Sequence, residues 1–120
     1  MSKITAIVKQ PFSSPYVTEI ENSLASYQSL VNGRIECVEM PGTENVDIIL
    51  NEEGKLLGLA PNVIMPEYRD CLMGTVVVVG FNPSRGSHLG LSKEQISDAM
   101  NYLNKNSARD MAQVIRSLGL

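Results

Sequence analysis

The chain has 120 residues, 43% of them hydrophobic and 19% charged, with a formal net charge of −3. This predicts one globular domain over residues 1–120, and no apolar run approaches the roughly 20 residues of a membrane-spanning helix. An acidic balance argues against a general nucleic-acid binder, and the start Met1-Ser2-Lys3-Ile4-Thr5 alternates like a strand instead of forming a signal peptide's apolar core, so a cytoplasmic protein is expected.

Lys3 to Lys9 alternates and reads as a strand. Pro11 to Pro15 interrupts it, and Tyr16 to Ile20 resumes a short extended segment. Ile20, Leu24, Tyr27, Leu30 and Val31 recur at helical spacing, with Asn32-Gly33 as a C-terminal stop. Arg34 to Met40 alternates again, and Pro41-Gly42-Thr43 is a turn. Val46 to Leu50 and Lys55 to Leu59 flank Asn51-Glu52-Glu53-Gly54, which predicts a hairpin closed by a four-residue turn. Ala60-Pro61-Asn62 ends it, and Val63 to Asp70 reads as irregular.

Met73 to Val79, with four consecutive valines, predicts a strand covered on both faces and central to its sheet. Gly80 to Gly90 (Gly-Phe-Asn-Pro-Ser-Arg-Gly-Ser-His-Leu-Gly) then reads as a glycine-rich loop on a rigid anchor, a place where binding chemistry collects. Ser92 to Gln95 matches a capping box, followed by the stripe Ile96, Ala99, Met100 and Leu103. Ser107 to Asp110 is a looser capping box before Met111, Val114, Ile115 and Leu118. The fold class is α+β: a mixed, mainly antiparallel sheet with one N-terminal helix and two C-terminal helices.

Enzyme templates fail. No phosphate-binding G-x-x-x-x-G-K-[ST], G-x-S-x-G elbow or H-E-x-x-H is present. Cys37 and Cys71 have no paired spacing and read as two core thiols, so no metal, no cofactor and no catalysis are expected. His88, the single histidine, is either a surface loop residue or a ligand contact.

Ligand binding fits better. Residues 1–80 carry five basic against ten acidic side chains, whereas residues 81–120 carry five against three, so an anion would prefer the C-terminal third. Phe81 can stack on a base or cap the core. Asn82 can read a base edge or fix the turn before Pro83. Arg85 sits beside Gly86 on the loop. Arg109, placed in the first turn behind a Ser107 cap, would join free helix amides in holding a phosphate. Phe12 and Tyr16 are further aromatic candidates.

Val17-Thr18-Glu19-Ile20-Glu21-Asn22-Ser23-Leu24, Gln28 to Gly33, Arg34 to Val38, Ile48 to Leu59 and Gly74 to Val79, in that order, resemble a small family catalogued as a domain of unknown function and common in phages. The fixed spacing of Leu50-Asn51-Glu52-Glu53-Gly54-Lys55-Leu56-Leu57-Gly58-Leu59-Ala60-Pro61-Asn62 carries much of this resemblance, which spans roughly residues 3–80. Members or close relatives look like phage Thoeris anti-defence sponges. The resemblance implies a homo-oligomer in the host cytoplasm that sequesters, without cleaving, a cyclic ADP-ribose-type or cyclic oligonucleotide signal. Of the residues above only Phe81, which would stack, and Arg109, which would touch phosphate, fit the roles it implies; Asn82, Arg85, Ser107 and His88 complete the candidate site on the reading of the residues themselves. The alternative is a protein–protein inhibitor or regulator of a host factor, without nucleotide.

Overall fold

A computed structural model describes residues 2–119. Its elements run β1 (Lys3–Lys9), β2 (Tyr16–Glu21), α1 (Leu24–Val31), β3 (Ile35–Glu39), β4 (Val46–Asn51), β5 (Pro61–Met65), β6 (Asp70–Met73), β7 (Val76–Asn82), β8 (Ser87–Leu89), α2 (Lys93–Lys105) and α3 (Met111–Leu118). Six strands form the main sheet in the order β2-β1-β7-β4-β3, with β8 also paired to β7; β5 and β6 form a separate hairpin. Every pairing between these strands is antiparallel. The α+β class holds, with one helix in the first half of the chain and two at its end.

The valine run explains the layering. Val76, Val77, Val78 and Val79 are all fully buried, and each gains about 1.5–3 kcal/mol from leaving water. Val76 and Val78 face one core with Ile7, Ile48, Leu72, Ala99 and Leu103, so α2 and the β5–β6 hairpin cover that side. Val77 and Val79 face the other with Val8, Ile49, Tyr27 and Val31, beneath α1. The β5–β6 hairpin is itself buried on both sides, because Ile64 and Cys71 pack against Val114 and Leu118 of α3.

Three expectations are corrected. The hairpin across Asn51–Gly54 does not form, because β4 already pairs with β3 on one edge and β7 on the other. Lys55 to Leu59 has no free edge to join. Asn51 instead donates from Nδ2 to Val31 O (3.1 Å) and accepts from Glu53 N (2.7 Å), and the chain coils through turns that leave Leu56 87% exposed. Val63 to Asp70 is not irregular but holds β5 and the start of β6. Met73 to Val79 is two strands, because Gly74 turns the chain at a φ of +83°, a conformation that favours glycine.

The segment Gly80 to Gly90 is mostly strand as well. β7 continues to Asn82 and β8 returns over Ser87–Leu89, pairing Phe81 with His88. Gly80 permits this return, since a Cβ there would meet the carbonyl oxygens of Gly90 and Leu89 at 3.0 and 3.1 Å. Only Pro83 to Gly86 remains as a tip. Asn82 Oδ1 accepts from Ser84 N (3.0 Å) and Gly86 takes a φ of +65°, the turn chemistry expected thirty residues earlier.

Candidate functional site

The expected site residues fall in two places. Phe81, Asn82, Arg85 and His88 lie on the β7–β8 hairpin, and Ser107 and Arg109 lie between α2 and α3. Ser107 bridges to Val63 and Lys9 pairs with Val76, so the second group sits at the opposite end of β7 from Phe81. Five residues of strand separate Val76 from Phe81, about 17 Å. Phe81 and Arg109 therefore border different cavities.

The Phe81 end is acidic. A cavity of about 450 Å³ there is lined by Phe81 and Pro83 together with Glu39, Glu44 and Asp47, and no basic side chain. Asn82 spends its side chain on the turn, and Arg85 is exposed at the tip. An anion entering this cavity meets carboxylates, so the phosphate role expected near Phe81 has no electrostatic support.

His88 is not a surface loop histidine. From β8 it reaches across β7 to Asp47 on β4, with Nε2 2.9 Å from Asp47 Oδ2 and both side chains largely buried. Tyr27 and Phe81 pack their rings at 5.8 and 5.7 Å from the imidazole. Asn22 Nδ2 donates to His88 O (2.9 Å), and Tyr27 OH donates to Asn22 Oδ1 (2.5 Å). Cys37 joins this group and is exposed, unlike the core thiol expected; Cys71 is buried as expected. Cys37 shares the α1 face of the sheet, but α1 has only eight residues and leaves that end of β3 uncovered.

Partial burial, then Asp47, then Glu36, push the Cys37 thiol above its ordinary range. A nucleophilic cysteine is favoured by the opposite environment, one that lowers the thiol's range. Burial, and then Cys37, push the Tyr27 phenol up to about 12. A raised phenol contributes stability that is present below pH 10 and lost as pH climbs through about 12. Urea midpoints measured across that window should fall less steeply for Tyr27→Phe than for wild type. Parallel losses would place the alkaline sensitivity elsewhere.

The opposite end is basic. A cavity of about 380 Å³ is lined by Lys9, Phe12, Ser13, Ser14, Asn104, Ser107, Ala108 and Arg109. It carries two cations and no carboxylate. Lys9 is completely buried, and its ammonium rests on Asn62 Oδ1 (2.5 Å) and Asn62 O (3.4 Å). Burial holds the Lys9 amine below its ordinary range. Among the described residues neither Lys9 nor Arg109 forms an ion pair. A buried cation without a counter-charge is costly, and this one borders an open cavity.

Phe12 is the other unusual residue. Ser13 N donates to Gln10 O (3.2 Å), closing a turn with Pro11 second and Phe12 third. Phe12 adopts a φ of +63°, the left-handed conformation that glycine takes at the third place of a type II turn. Its ring is nevertheless 62% exposed. A left-handed non-glycine backbone costs about 1–3 kcal/mol, and here it holds an exposed aromatic beside the cavity.

Two expectations fail locally here. Asp110, not Ser107, caps α3, accepting from Gln113 N at 2.8 Å. Its carboxylate occupies the amides that a phosphate would use. Ser107 donates its hydroxyl to Leu103 O (2.9 Å), and Arg109 precedes the helix instead of sitting in its first turn. Arg109 lies just outside the helix, before its Asp110 cap, and borders the cavity. Sequence reasoning missed Lys9. The signal was its parity: it shares a strand face with the buried Ile7.

Helices laid on an antiparallel sheet place the molecule among α+β domains. The chain belongs to the family described as Domain of unknown function (DUF3846), which matches residues 4–104. That span takes in Lys9, Phe12 and the whole β7–β8 hairpin, and ends before Ser107 and Arg109. No curated protein and no solved structure matches the chain.

Proposed function

We propose that the protein is a binding module that captures an anionic ligand with a flat ring system, without catalysis, in the cavity between Lys9, Phe12 and Arg109. The observation that carries this reading is a cavity with two unpaired cations and no carboxylate, beside an exposed aromatic in a strained turn. Phe12 supplies the stacking face in place of Phe81, worth about 1–3 kcal/mol per base. Arg109 supplies charge-assisted bonds to phosphate, the buried Lys9 ammonium adds its positive field from behind the cavity wall, and the serines add neutral donors. Other cavities, beside Glu52 and Asp70 and beside Glu94 and Asp98, are bordered by carboxylates and repel such a ligand.

The finer proposal is that the ligand is a cyclic ADP-ribose-type immune signal and that the protein is an anti-defence sponge lowering it by mass action. Self-association belongs to this proposal, with the exposed Phe12 ring as the apolar group that a second copy would cover. Protein incubated with cyclic ADP-ribose and then heated should return the intact compound. Recovery of a hydrolysed product would overturn the sponge in favour of an enzyme.

A further inference from the structure

We propose that Cys37, Asp47 and His88 form a binding site for a zinc-type divalent cation, a function separate from the basic cavity. One ligand atom from each residue lies within 4.8 Å of the other two. Donor atoms around tetrahedral zinc, with bonds of about 2.0–2.3 Å, stand roughly 3.3–3.8 Å apart. His88 Nε2 and Asp47 Oδ2 stand at hydrogen-bond distance, 2.9 Å, so a metal replaces that bond and parts the two atoms by about 0.4–0.9 Å, while the exposed Cys37 side chain closes in.

The donor set is selective. Thiolate, imidazole and carboxylate together suit zinc better than calcium or magnesium, which take oxygen ligands. The three residues come from β3, β4 and β8, rigid elements of one sheet, which fix ligand geometry better than loops do. The outer contacts fit as well. Asn22 Nδ2 donates to the His88 carbonyl, and Tyr27 and Phe81 pack edge-on with its ring, which fixes where the imidazole sits.

The local charge also favours a cation. Glu39, Glu44 and Asp47 line the adjoining cavity, and Glu36 precedes Cys37 in β3. Binding exchanges a thiol proton for the metal: Cys37–SH plus M²⁺ gives Cys37–S–M⁺ plus H⁺. Three protein ligands leave a fourth position for water or an external donor.

Titrating the full chain with Co²⁺ as a spectroscopic stand-in should give one equivalent bound, intense four-coordinate d–d bands and a thiolate-to-cobalt charge-transfer band that Zn²⁺ abolishes. Cys37→Ser should remove the charge-transfer band, and His88→Gln should weaken binding at least tenfold, with thermal melts confirming that both variants fold. Zn²⁺ should slow the reaction of Cys37 with an aromatic disulfide reagent at least tenfold in wild type. Absence of the thiolate band, its persistence in Cys37→Ser, or an unchanged reaction rate would each overturn the site. Lys9→Met should leave all these signals intact, keeping this test separate from that of the basic cavity.

Discussion

Asn62→Ala is expected to destabilise the protein by about 3 kcal/mol or more, lowering the melting temperature by about 10 °C. Asn62 is fully buried and ties three other parts of the chain to β5. Its Nδ2 donates to Lys9 O and Gly74 O, both at 2.8 Å, and its Oδ1 accepts from Lys9 Nζ. Its backbone oxygen also accepts from Ala108 N at 2.8 Å, tying the α2–α3 connection to β5. Alanine leaves two carbonyls and a buried ammonium without their side-chain partners, and an unsatisfied charged group is the costliest kind. The urea midpoint should fall at unchanged slope. A loss below about 1 kcal/mol would mean that Lys9 has other support.

Lys9→Met should separate folding from binding. Methionine keeps the length of the side chain and removes a buried charge, a change that is often neutral or stabilising for the protein alone. One acceptor, Asn62 Oδ1, is left unpaired, so the free protein should lose no more than about 1.5 kcal/mol. Affinity for a phosphorylated ligand should fall by about ten- to a hundredfold, because attraction between unit charges about 4 Å apart is worth about 1–4 kcal/mol between bulk water and a protein surface. Isothermal titration beside urea unfolding reads both quantities. A variant that fails to fold, or one that folds and binds as before, would make Lys9 a structural residue only.

Strands with one wet face or a continuous apolar core were legible in the sequence: β1, β2, β4 and β7 lie where alternation and the valine run place them, and the Ser92 capping box forms in full. β5 was not legible. All five of its residues are buried, so it shows no alternation, and it opens with a proline. The hairpin expected at Asn51 failed for a non-local reason, since turn chemistry cannot reveal that both edges of β4 are taken. The two candidate sites escaped for the same kind of reason. Asp47 and His88 are 41 positions apart and meet only through the sheet order. Phe12 looked like an ordinary aromatic between prolines, because its left-handed backbone leaves no mark in composition. Arg109 was paired with Phe81 on sequence grounds, whereas in the fold it borders a cavity with Phe12 and Lys9.

Equilibrium titration of cyclic ADP-ribose into wild type, Phe12→Gly and Phe81→Ala tests the basic cavity most directly. Glycine relieves the strained turn, so Phe12→Gly should be at least as stable as wild type while losing about tenfold or more in affinity. Phe81→Ala, at the acidic end of the sheet, should bind as wild type does. Loss of binding in Phe81→Ala with full binding in Phe12→Gly would contradict the assignment and return the site to the β7–β8 hairpin.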